Sequence, residues 1–328
     1  MAYVAGDTIL ATEYNTFVNS SSSPFGYNHF AGTGSGVHGL GQTAIPTVSS
    51  GAGTITASQW NTLFTGMDNI ANHTNDTLTT RTQVSAGDTI AIKAAVEADL
   101  ATLAASVAGG CTGAVIGGGL TLGTSLQTIT TASEGWDNTA THEHSITWSS
   151  ADQMRWFFNA GGKVRIVTST TQASTNPKDQ AFIDLGTALG NIDIGAQATT
   201  RSGSGESPSS GGSGLTLGFH DLTTSYQELI ILTSDNSAYT SNTVQISAKL
   251  DAAPGTSVTM VIKMVASDPA GDQQYDNPNF DGVAPAINDT PRMVTNLFAI
   301  TPNTSEGLSV VYAHSTVGNE SNPTGTTT

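Results

Sequence analysis

The stretch SADQMRWFFNAGGKVRIV, residues 150–167, decides how the middle of this 328-residue chain is expected to fold. Ser150 is a favoured helix N-cap residue, and Gln153 three positions later completes a capping box. Gly161 predicts the end of the helix, because a left-handed C-terminal position is cheap only for glycine. Beyond it, apolar residues alternate with basic ones, which predicts a strand. The stretch therefore predicts a short helix that seals one end of a β-sheet and feeds its next strand.

The apolar residues of this helix indicate how it is surrounded. Met154, Phe157 and Phe158 fall on one face at spacings of three and four. Trp156 precedes the two phenylalanines, so three consecutive aromatic side chains point in three directions. We expect neighbours on several sides of the helix.

The composition predicts a strand-rich fold. Charged residues make up 11% and aromatic residues 6%, and the 36 glycines suit many short strands joined by polar turns. The hydrophobic fraction of 37% is enough for a core and argues against disorder. The candidate strands are 126–130, 142–148, 164–168, 226–232, 244–250, 258–265, 294–300 and 308–313.

The clearest strand signal is a hairpin. Residues 244–250 and 258–265 alternate apolar and polar positions on either side of Pro254 and Gly255. One buried and one solvated face is typical of a β-sandwich, so the fold class is mainly β, with a C-terminal antiparallel β-sandwich carrying one or two short helices. Residues 178–189, after Pro177, predict the second helix.

An internal repeat predicts a different N-terminal part. TILATEYNTF (residues 8–17) recurs as TITASQWNTL (residues 54–63). In addition, AGDTI at residues 5–9 recurs at residues 86–90 as a third, partial copy. Each copy predicts an extended pair that leads into a helix capped by Thr12 or Ser58. The predicted organisation is a small helical repeat module at 1–108 and a sandwich at 109–328.

A Ser/Gly-rich segment at 202–214 has two interpretations. Strand patterning continues on both sides of it, which favours a flexible insertion within one sandwich. A domain break near residue 208 is the alternative.

The charge balance restricts the partners. With 10 Lys and Arg against 26 Asp and Glu, the formal net charge is -16, which disfavours nucleic acid and anionic membranes. No run predicts membrane insertion, and the N-terminus lacks a signal-peptide pattern. We expect a protein that is made and left in the cytoplasm, or assembled there into something larger.

No catalytic motif is found, so the prediction is a protein that is not an enzyme and uses no cofactor. GSGVHG at 34–39 matches a dinucleotide-binding spacing but lacks the flanking strand and helix, so an ordinary flexible loop is preferred.

Cys111 is expected to be a small buried residue rather than a nucleophile. Asp281 and Asp289 offer paired carboxylates for glycosidase chemistry, although an acidic turn is the plainer interpretation. The oxygen-rich loop 268–281 is likewise either a calcium site or an exposed loop.

Three stretches carry a resemblance to a known family. Residues 149–166, the run GFHDLTTSYQ at 218–227 and the N-terminal pattern at 6–15 resemble virion structural proteins of tailed bacteriophages, of the marine cyanophage type. The likeness spans most of the chain and implies a tail fibre, neck or other appendage component. The expected partners are other virion proteins and copies of this chain, as in a homotrimer. The alternative is a module that binds a receptor or glycan on the host surface.

The resemblance also suggests a metal site. His142 and His144 lie two residues apart and so share one face of a strand. In a trimer, three such pairs could supply six nitrogen ligands to a transition metal, as in phage fibres of this kind. The alternative is two exposed strand histidines.

The last prediction is an attachment surface in the N-terminal module. The first 80 residues carry no Lys or Arg, and the module is too small to bury its larger apolar side chains well by itself. A partner in the particle would therefore cover them. These predicted interface residues are Tyr14, Phe17, Trp60, Leu63 and Phe64.

Overall fold

The computed structural model describes the chain in twelve pieces. They are residues 10–49, 55–88, 93–112, 120–131, 139–170, 177–205, 208–210, 214–236, 239–268, 293–302, 308 and 312–321.

The helices lie mainly in the first third of the chain. They are α1 (Ala11–Asn19), α2 (Tyr27–Phe30), α3 (Ala57–Thr74), α4 (Lys93–Ala108), α5 (Ala151–Asn159) and α6 (Pro177–Leu189). Both helices predicted beyond residue 109 are therefore present, as α5 and α6. Within the described residues, no helix is both long enough and apolar enough to span a membrane.

The strands follow residue 120. They are β1 (Leu120–Leu122), β2 (Gln127–Thr130), β3 (Thr139–Trp148), β4 (Lys163–Thr170), β5 (Asn191–Ile194), β6 (Thr199–Arg201), β7 (Pro208–Ser210), β8 (Gln227–Thr233), β9 (Thr243–Leu250), β10 (Thr259–Ser267), β11 (Met293–Pro302) and β12 (His314–Ser321).

These strands form two antiparallel sheets. In the first, the order is β1, β11, β4, β5, β6, and β2 also pairs with β11. In the second, the order is β12, β3, β10, β9, β8, β7. The prediction of a strand-rich C-terminal part is confirmed to this extent. The predicted hairpin is also present as β9 and β10, with Met260 opposite Leu250, and the turn between them holds Gly255 at φ +90°.

Two strand predictions need correction. Residues 308, 312 and 313 are not in a strand, and the last strand begins at His314 instead. The predicted flexible segment 202–214 contains β7, which pairs with β8. A Ser/Gly-rich segment hides such a strand because its pairing uses backbone groups and needs no apolar side-chain pattern.

Contacts between residues divide the chain into two units. The first holds Met1–Thr121, Ser150–Gly162 and Thr301–Ala313, and the second holds Leu122–Ser149, Lys163–Ile300 and His314–Thr328. These units differ from the expected division at residue 108. The segment 202–214 falls inside the second unit, with strands of that unit on both sides.

Helix α5 has the predicted ends but a different location. Ser150 Oγ accepts a hydrogen bond from the backbone N–H of Gln153 at 3.2 Å, and Gly161 follows the helix at φ +91°. Met154, Phe157 and Phe158 are fully buried, as expected. However, α5 belongs to the first unit, so the prediction that it is part of the sandwich domain needs correction.

The repeat is confirmed at the start of α1 and α3, but its caps were placed two residues too late. The N-cap residues are Leu10 and Thr56, rather than Thr12 and Ser58. In both helices the third residue closes the cap: Glu13 accepts from the Leu10 N–H at 3.3 Å and Gln59 from the Thr56 N–H at 2.8 Å.

Candidate functional site

The repeat positions an asparagine that holds the chain after each helix. Asn15 Nδ2 donates to the carbonyl oxygen of Val48 at 2.7 Å, and the Val48 N–H donates back to Asn15 Oδ1 at 2.8 Å. Asn61, at the equivalent repeat position, makes the same pair with Val84 at 3.0 and 2.9 Å. A carboxamide satisfies both groups of one peptide residue because it carries a donor and an acceptor side by side.

A third asparagine does the same without belonging to the repeat. Asn28 on α2 donates to the Ile45 carbonyl oxygen at 2.9 Å and accepts from the Ile45 N–H at 2.8 Å. We call these three pairs the asparagine clamps: Asn15 with Val48, Asn28 with Ile45, and Asn61 with Val84. They fix two irregular segments of the first unit against helices α1, α2 and α3.

The clamped segments and α3 enclose a groove in the first unit, of about 830 Å³. Its size lies within the usual range for small-ligand sites. The lining residues are Tyr27, Gln42, Thr43, Ala44, Ile45, Pro46, Ser58, Asn61, Thr62, Thr65, Gly66, Asn69 and Gln83. Two clamp residues, Ile45 and Asn61, are among them, so the clamps hold the walls in place.

The chemistry of the groove is polar and uncharged. Among the described residues that line it are amides and hydroxyl groups but no acidic, basic or histidine side chain. Within the described residues, the carboxamides of Asn69 and Gln83 make no hydrogen bond to protein, so each offers a donor and an acceptor. Such a surface suits a neutral partner rich in hydroxyl or amide groups, and it offers no counter-charge to an ion.

One wall of the groove depends on a glycine. A Cβ at Gly66 would lie 2.9 Å from Cε2 of Tyr27, so the glycine leaves room for this tyrosine ring to lie close to α3. The ring meets Phe30 edge to face at 5.9 Å. Burial raises the pKa of the Tyr27 hydroxyl to about 12, which keeps the group neutral over the physiological range.

The glycine-rich loop 33–39 is an ordered part of the first unit rather than a flexible loop. Arg155 of α5 donates to the carbonyl oxygens of Thr33, at 2.6 Å, and His38. Asn159 donates to the carbonyl oxygens of His38 and Gly39 at 3.0 and 3.1 Å. The loop thus presents its carbonyl oxygens to α5. This arrangement is opposite to a phosphate site, which presents N–H groups to its ligand.

The candidate metal ligands lie in the interior of the second unit. His142 and His144 share one face of β3, as predicted, but both are fully buried, so the interpretation as exposed histidines is wrong. Thr295 of β11 lies between them, with its Oγ1 3.0 Å from His142 Nδ1 and 2.7 Å from His144 Nε2. Imidazoles enclosed in this way are not presented to neighbouring copies on a trimer axis.

The hydrogen bonds of these histidines run in one direction. Thr131 Oγ1 donates to the Met293 carbonyl oxygen at 3.1 Å, so it can only accept from His142 Nε2. His142 Nδ1 must then accept from Thr295, and Thr295 from His144 Nε2. The Gln127 carboxamide completes the series when its nitrogen donates to His144 Nδ1 at 2.8 Å. We call this series the histidine relay: Gln127, His144, Thr295, His142 and Thr131.

Every member of the histidine relay is neutral. Burial lowers the pKa of His142 to about 4, and burial together with the neighbouring His142 lowers the pKa of His144 to about 4. Within the described residues, no group of three or more His, Cys, Asp or Glu side chains is arranged to hold a metal ion.

The predicted interface residues form the core of the first unit. Tyr14, Phe17, Trp60, Leu63 and Phe64 are each at most 3% exposed. Trp60 is the centre of the cluster: its ring lies 5.4 Å from Tyr14, 5.9 Å from Phe17 and 5.6 Å from Phe64. The prediction that a partner must cover them is wrong, because the unit contains α5 and residues up to 121 and is larger than the module expected from the repeat.

The remaining candidates are an isolated thiol and residues outside the description. Cys111 is buried, as expected, and burial raises the pKa of its thiol. Asp281, Asp289 and all of the loop 268–281 except Asp268 lie outside the described residues. Sequence reasoning missed the groove, although the asparagines at equivalent repeat positions were a visible signal for the clamps.

No protein-family model, curated protein or solved structure matches this chain. The resemblance to phage virion proteins therefore stays a prediction from the sequence.

Proposed function

We propose that this chain is a non-enzymatic structural component of a tailed-phage particle, a fibre or appendage subunit attached through its N-terminal unit. The observation that carries this proposal is the use of buried charge. Arg155, 3% exposed, binds the carbonyl oxygens of a loop more than 115 positions earlier in the chain. A buried guanidinium that holds backbone oxygens fixes distant segments to one another.

Other ionisable side chains serve the same purpose. Arg81 pairs with Asp99 in the first unit, where Asp99 also accepts from the Thr79 N–H at 3.2 Å. Arg165 on β4 makes two hydrogen bonds to Asp193 on β5, at 2.6 and 2.8 Å. A subunit that acts through its shape needs such links, whereas an enzyme also needs a reactive group poised in a cleft.

We further propose that the second unit is a β-sandwich. The histidine relay supports this, because it joins side chains of β3 in one sheet to Thr295 of β11 in the other. The two inner faces thus meet side chain to side chain, as in packed sheets.

The aromatic cluster is buried within the N-terminal unit, so the proposed attachment through this unit is based on its groove instead. The uncharged groove lies in this unit, and the sequence has no Lys or Arg before Arg81. A contact without charges avoids the desolvation cost of buried ions.

The test is to purify particles by density gradient, identify the chain by mass spectrometry and locate it in a cryo-EM map of the particle. We expect a fixed copy number, with the N-terminal unit facing the body of the particle. Absence from purified particles would contradict the structural role, and a map with the second unit facing inward would contradict the orientation.

A second candidate function is recognition of a neutral glycan on the host surface. The groove favours it, because amides and hydroxyl groups match the hydroxyl groups of a sugar as donors and acceptors. Asn69→Arg places a charge in this groove, and Asn72→Arg on the exposed face of the same helix is the matched control.

The two candidates separate in the Asn69→Arg particles. Loss of the chain from particles indicates attachment through the groove. Normal incorporation with loss of adsorption, and loss of binding to a neutral-oligosaccharide array, indicates glycan recognition. If Asn69→Arg behaves like Asn72→Arg in all three assays, the groove has neither role.

A further inference from the structure

Three buried polar residues lie at one end of the second sheet. Ser234 follows β8, Asn242 precedes β9 and Asp268 follows β10. Their exposed fractions are 4%, 0% and 1%. The nearest buried positions of the same strands, Leu232, Val244 and Ala266, are apolar. A polar group at this depth is therefore unusual for this sheet.

The strand register places the three side by side. The Ser234 N–H donates to the Asn242 carbonyl oxygen at 2.9 Å. Thr243 is opposite Ser267, so Asp268 is the next residue across from Asn242. Alternate residues of β9 and β10 are buried. Asn242 lies two positions before buried Val244, and Asp268 lies two positions after buried Ala266, so each is on the buried face of its strand. Their side chains therefore share the inner face, at the spacing of cross-strand neighbours.

Asn242 is the polar side chain of this row whose hydrogen-bonding groups have no protein partner. Its side chain is fully buried, and neither Oδ1 nor Nδ2 has a hydrogen-bond partner in the part of the chain that the structure describes. A buried carboxamide without partners is strongly unfavourable, and such groups in native proteins are satisfied by water or an ion. A leucine or valine would fill this position at lower cost if packing were its only role.

We propose that Asp268, Asn242 and Ser234 bind a calcium ion at this end of the second unit. The three side chains contribute a carboxylate, an amide oxygen and a hydroxyl, all hard oxygen ligands of the kind that Ca²⁺ prefers. Ser234 Oγ accepts from the Asn236 N–H at 3.1 Å and keeps a second lone pair. Waters complete the ligand set, and the Asn242 amide nitrogen donates to one of them.

The charge of the site sets the expected strength. One carboxylate gives weaker binding than a site with three or four, so a dissociation constant of about 10⁻⁴ M or weaker is expected. The chain's net charge of -16 concentrates cations near its surface and favours occupation. This site does not depend on the proposed virion role, because it would stabilise the unit in any context.

The test uses the full chain, stripped with EDTA and titrated with CaCl₂. We expect 10 mM Ca²⁺ to raise Tm by roughly 5 °C, since binding to the native state alone stabilises it by mass action. The same concentration of Mg²⁺ should raise Tm much less, because Mg²⁺ demands a stricter octahedral geometry. Terbium luminescence provides an independent reading of occupancy.

Variants locate the ion. Asp268→Asn should abolish the Ca²⁺-dependent shift, and Asp235→Asn, a matched control at an exposed position of the same region, should leave it unchanged. Asn242→Asp adds a carboxylate, so it should lower Tm in EDTA and give a larger Ca²⁺ shift than the wild-type chain. A structural amide alone would not produce that rescue.

The opposite results are equally clear. If Ca²⁺ neither raises the wild-type Tm nor is displaced by terbium, the carboxamide is solvated by water and the proposal is wrong. Retention of the shift in Asp268→Asn would place the ion elsewhere and also overturn it. If Asp268→Asn does not fold, the comparison of Asn242→Asp with and without Ca²⁺ decides.

Discussion

Asn61 and Val84 are joined by two hydrogen bonds, from Asn61 Nδ2 to the Val84 carbonyl oxygen at 3.0 Å and from the Val84 N–H to Asn61 Oδ1 at 2.9 Å. The pairing matches that of Asn15 with Val48 at the equivalent repeat position. The two copies of the repeat therefore share the contact between the asparagine and a distant backbone residue, in addition to the helix itself. The asparagine is therefore what couples each helix to the chain that leads into the next.

Replacement of Asn61 by Asp should destabilise the first unit. The carboxylate loses the donor to the Val84 carbonyl oxygen and places a second acceptor against it, at an expected cost of about 1 to 3 kcal/mol. Denaturant unfolding measures the change. Asn72→Asp, at an exposed position of the same helix, should cost less than about 0.5 kcal/mol. Equal stability of the two variants would mean that the clamp contributes nothing.

Removal of the α5 phenylalanines should be costly. Phe157 and Phe158 are fully buried and meet edge to face at 5.1 Å. Phe157→Ala or Phe158→Ala should lower the free energy of unfolding by about 3 to 5 kcal/mol, because each leaves a cavity. Val317→Ala, at a side chain that is 70% exposed, is the control and should change Tm little. An unchanged Tm for both phenylalanine variants would contradict the placement of α5.

Arg155→Lys should weaken the link between α5 and the loop 33–39. The planar guanidinium reaches the Thr33 and His38 carbonyl oxygens together, and a lysine ammonium cannot reproduce that geometry. We expect a loss of about 2 kcal/mol or more, together with faster hydrogen exchange in the loop. Arg201→Lys is the matched control, since Arg201 also binds carbonyl oxygens, those of Gly203 and Gly205, but partly in solvent. If Arg201→Lys lowered the free energy of unfolding more than Arg155→Lys does, the conclusion that the buried Arg155 link matters more would be wrong.

The histidine relay should make the second unit sensitive to acid. The folded pKa of His142 and of His144 is about 4, below the ordinary value of 6.5, so the neutral form is the one that folding favours. Their contribution is complete above about pH 6.5 and is lost as the pH falls towards 4. Between pH 7 and pH 4.5 each histidine should remove about 2 to 3 kcal/mol.

The measurement is unfolding free energy against pH, for wild type and for His144→Gln. The variant should be less stable at pH 7, but its loss of stability between pH 7 and 4.5 should be smaller than that of the wild type by about 2 to 3 kcal/mol. Burial raises the pKa of Asp251, but hydrogen bonds from the Ser257 hydroxyl and from backbone N–H groups together lower that pKa below 3.8, so Asp251 contributes only at lower pH. A wild-type profile that is flat from pH 7 to 4.5 would contradict the relay.

Several elements could be predicted from local sequence. Helix α5 has its cap at Ser150 and its end at Gly161 because both signals act within a few residues. The β9 and β10 hairpin follows from strict alternation across Pro254 and Gly255. Short strands such as β5 and β7 were not predicted, since three or four residues carry too little pattern and are held by backbone pairing with longer neighbours.

The candidate sites depended on tertiary structure much more. The sequence indicated that His142 and His144 share a face, but not that Thr295, more than 150 positions away, encloses them. The sequence indicated that Tyr14 and Trp60 must be buried, but it did not show that residues of the same chain bury them. Likewise, the two carbonyl oxygens that Arg155 binds, those of Thr33 and His38, lie 122 and 117 positions earlier, in a loop whose structure its own sequence leaves undetermined.

The sequence by itself determined the class of secondary structure, the repeat and the buried face of each long strand and helix. These depend on the period of apolar residues and on turn residues, which act over a few positions. Only the tertiary structure decided which segments meet those faces: α5 in the first unit, the asparagine clamps around the groove, and the polar row at Asn242. A periodic pattern states that a face is buried, but the identity of what buries it depends on contacts between segments far apart in the chain, which no local signal encodes.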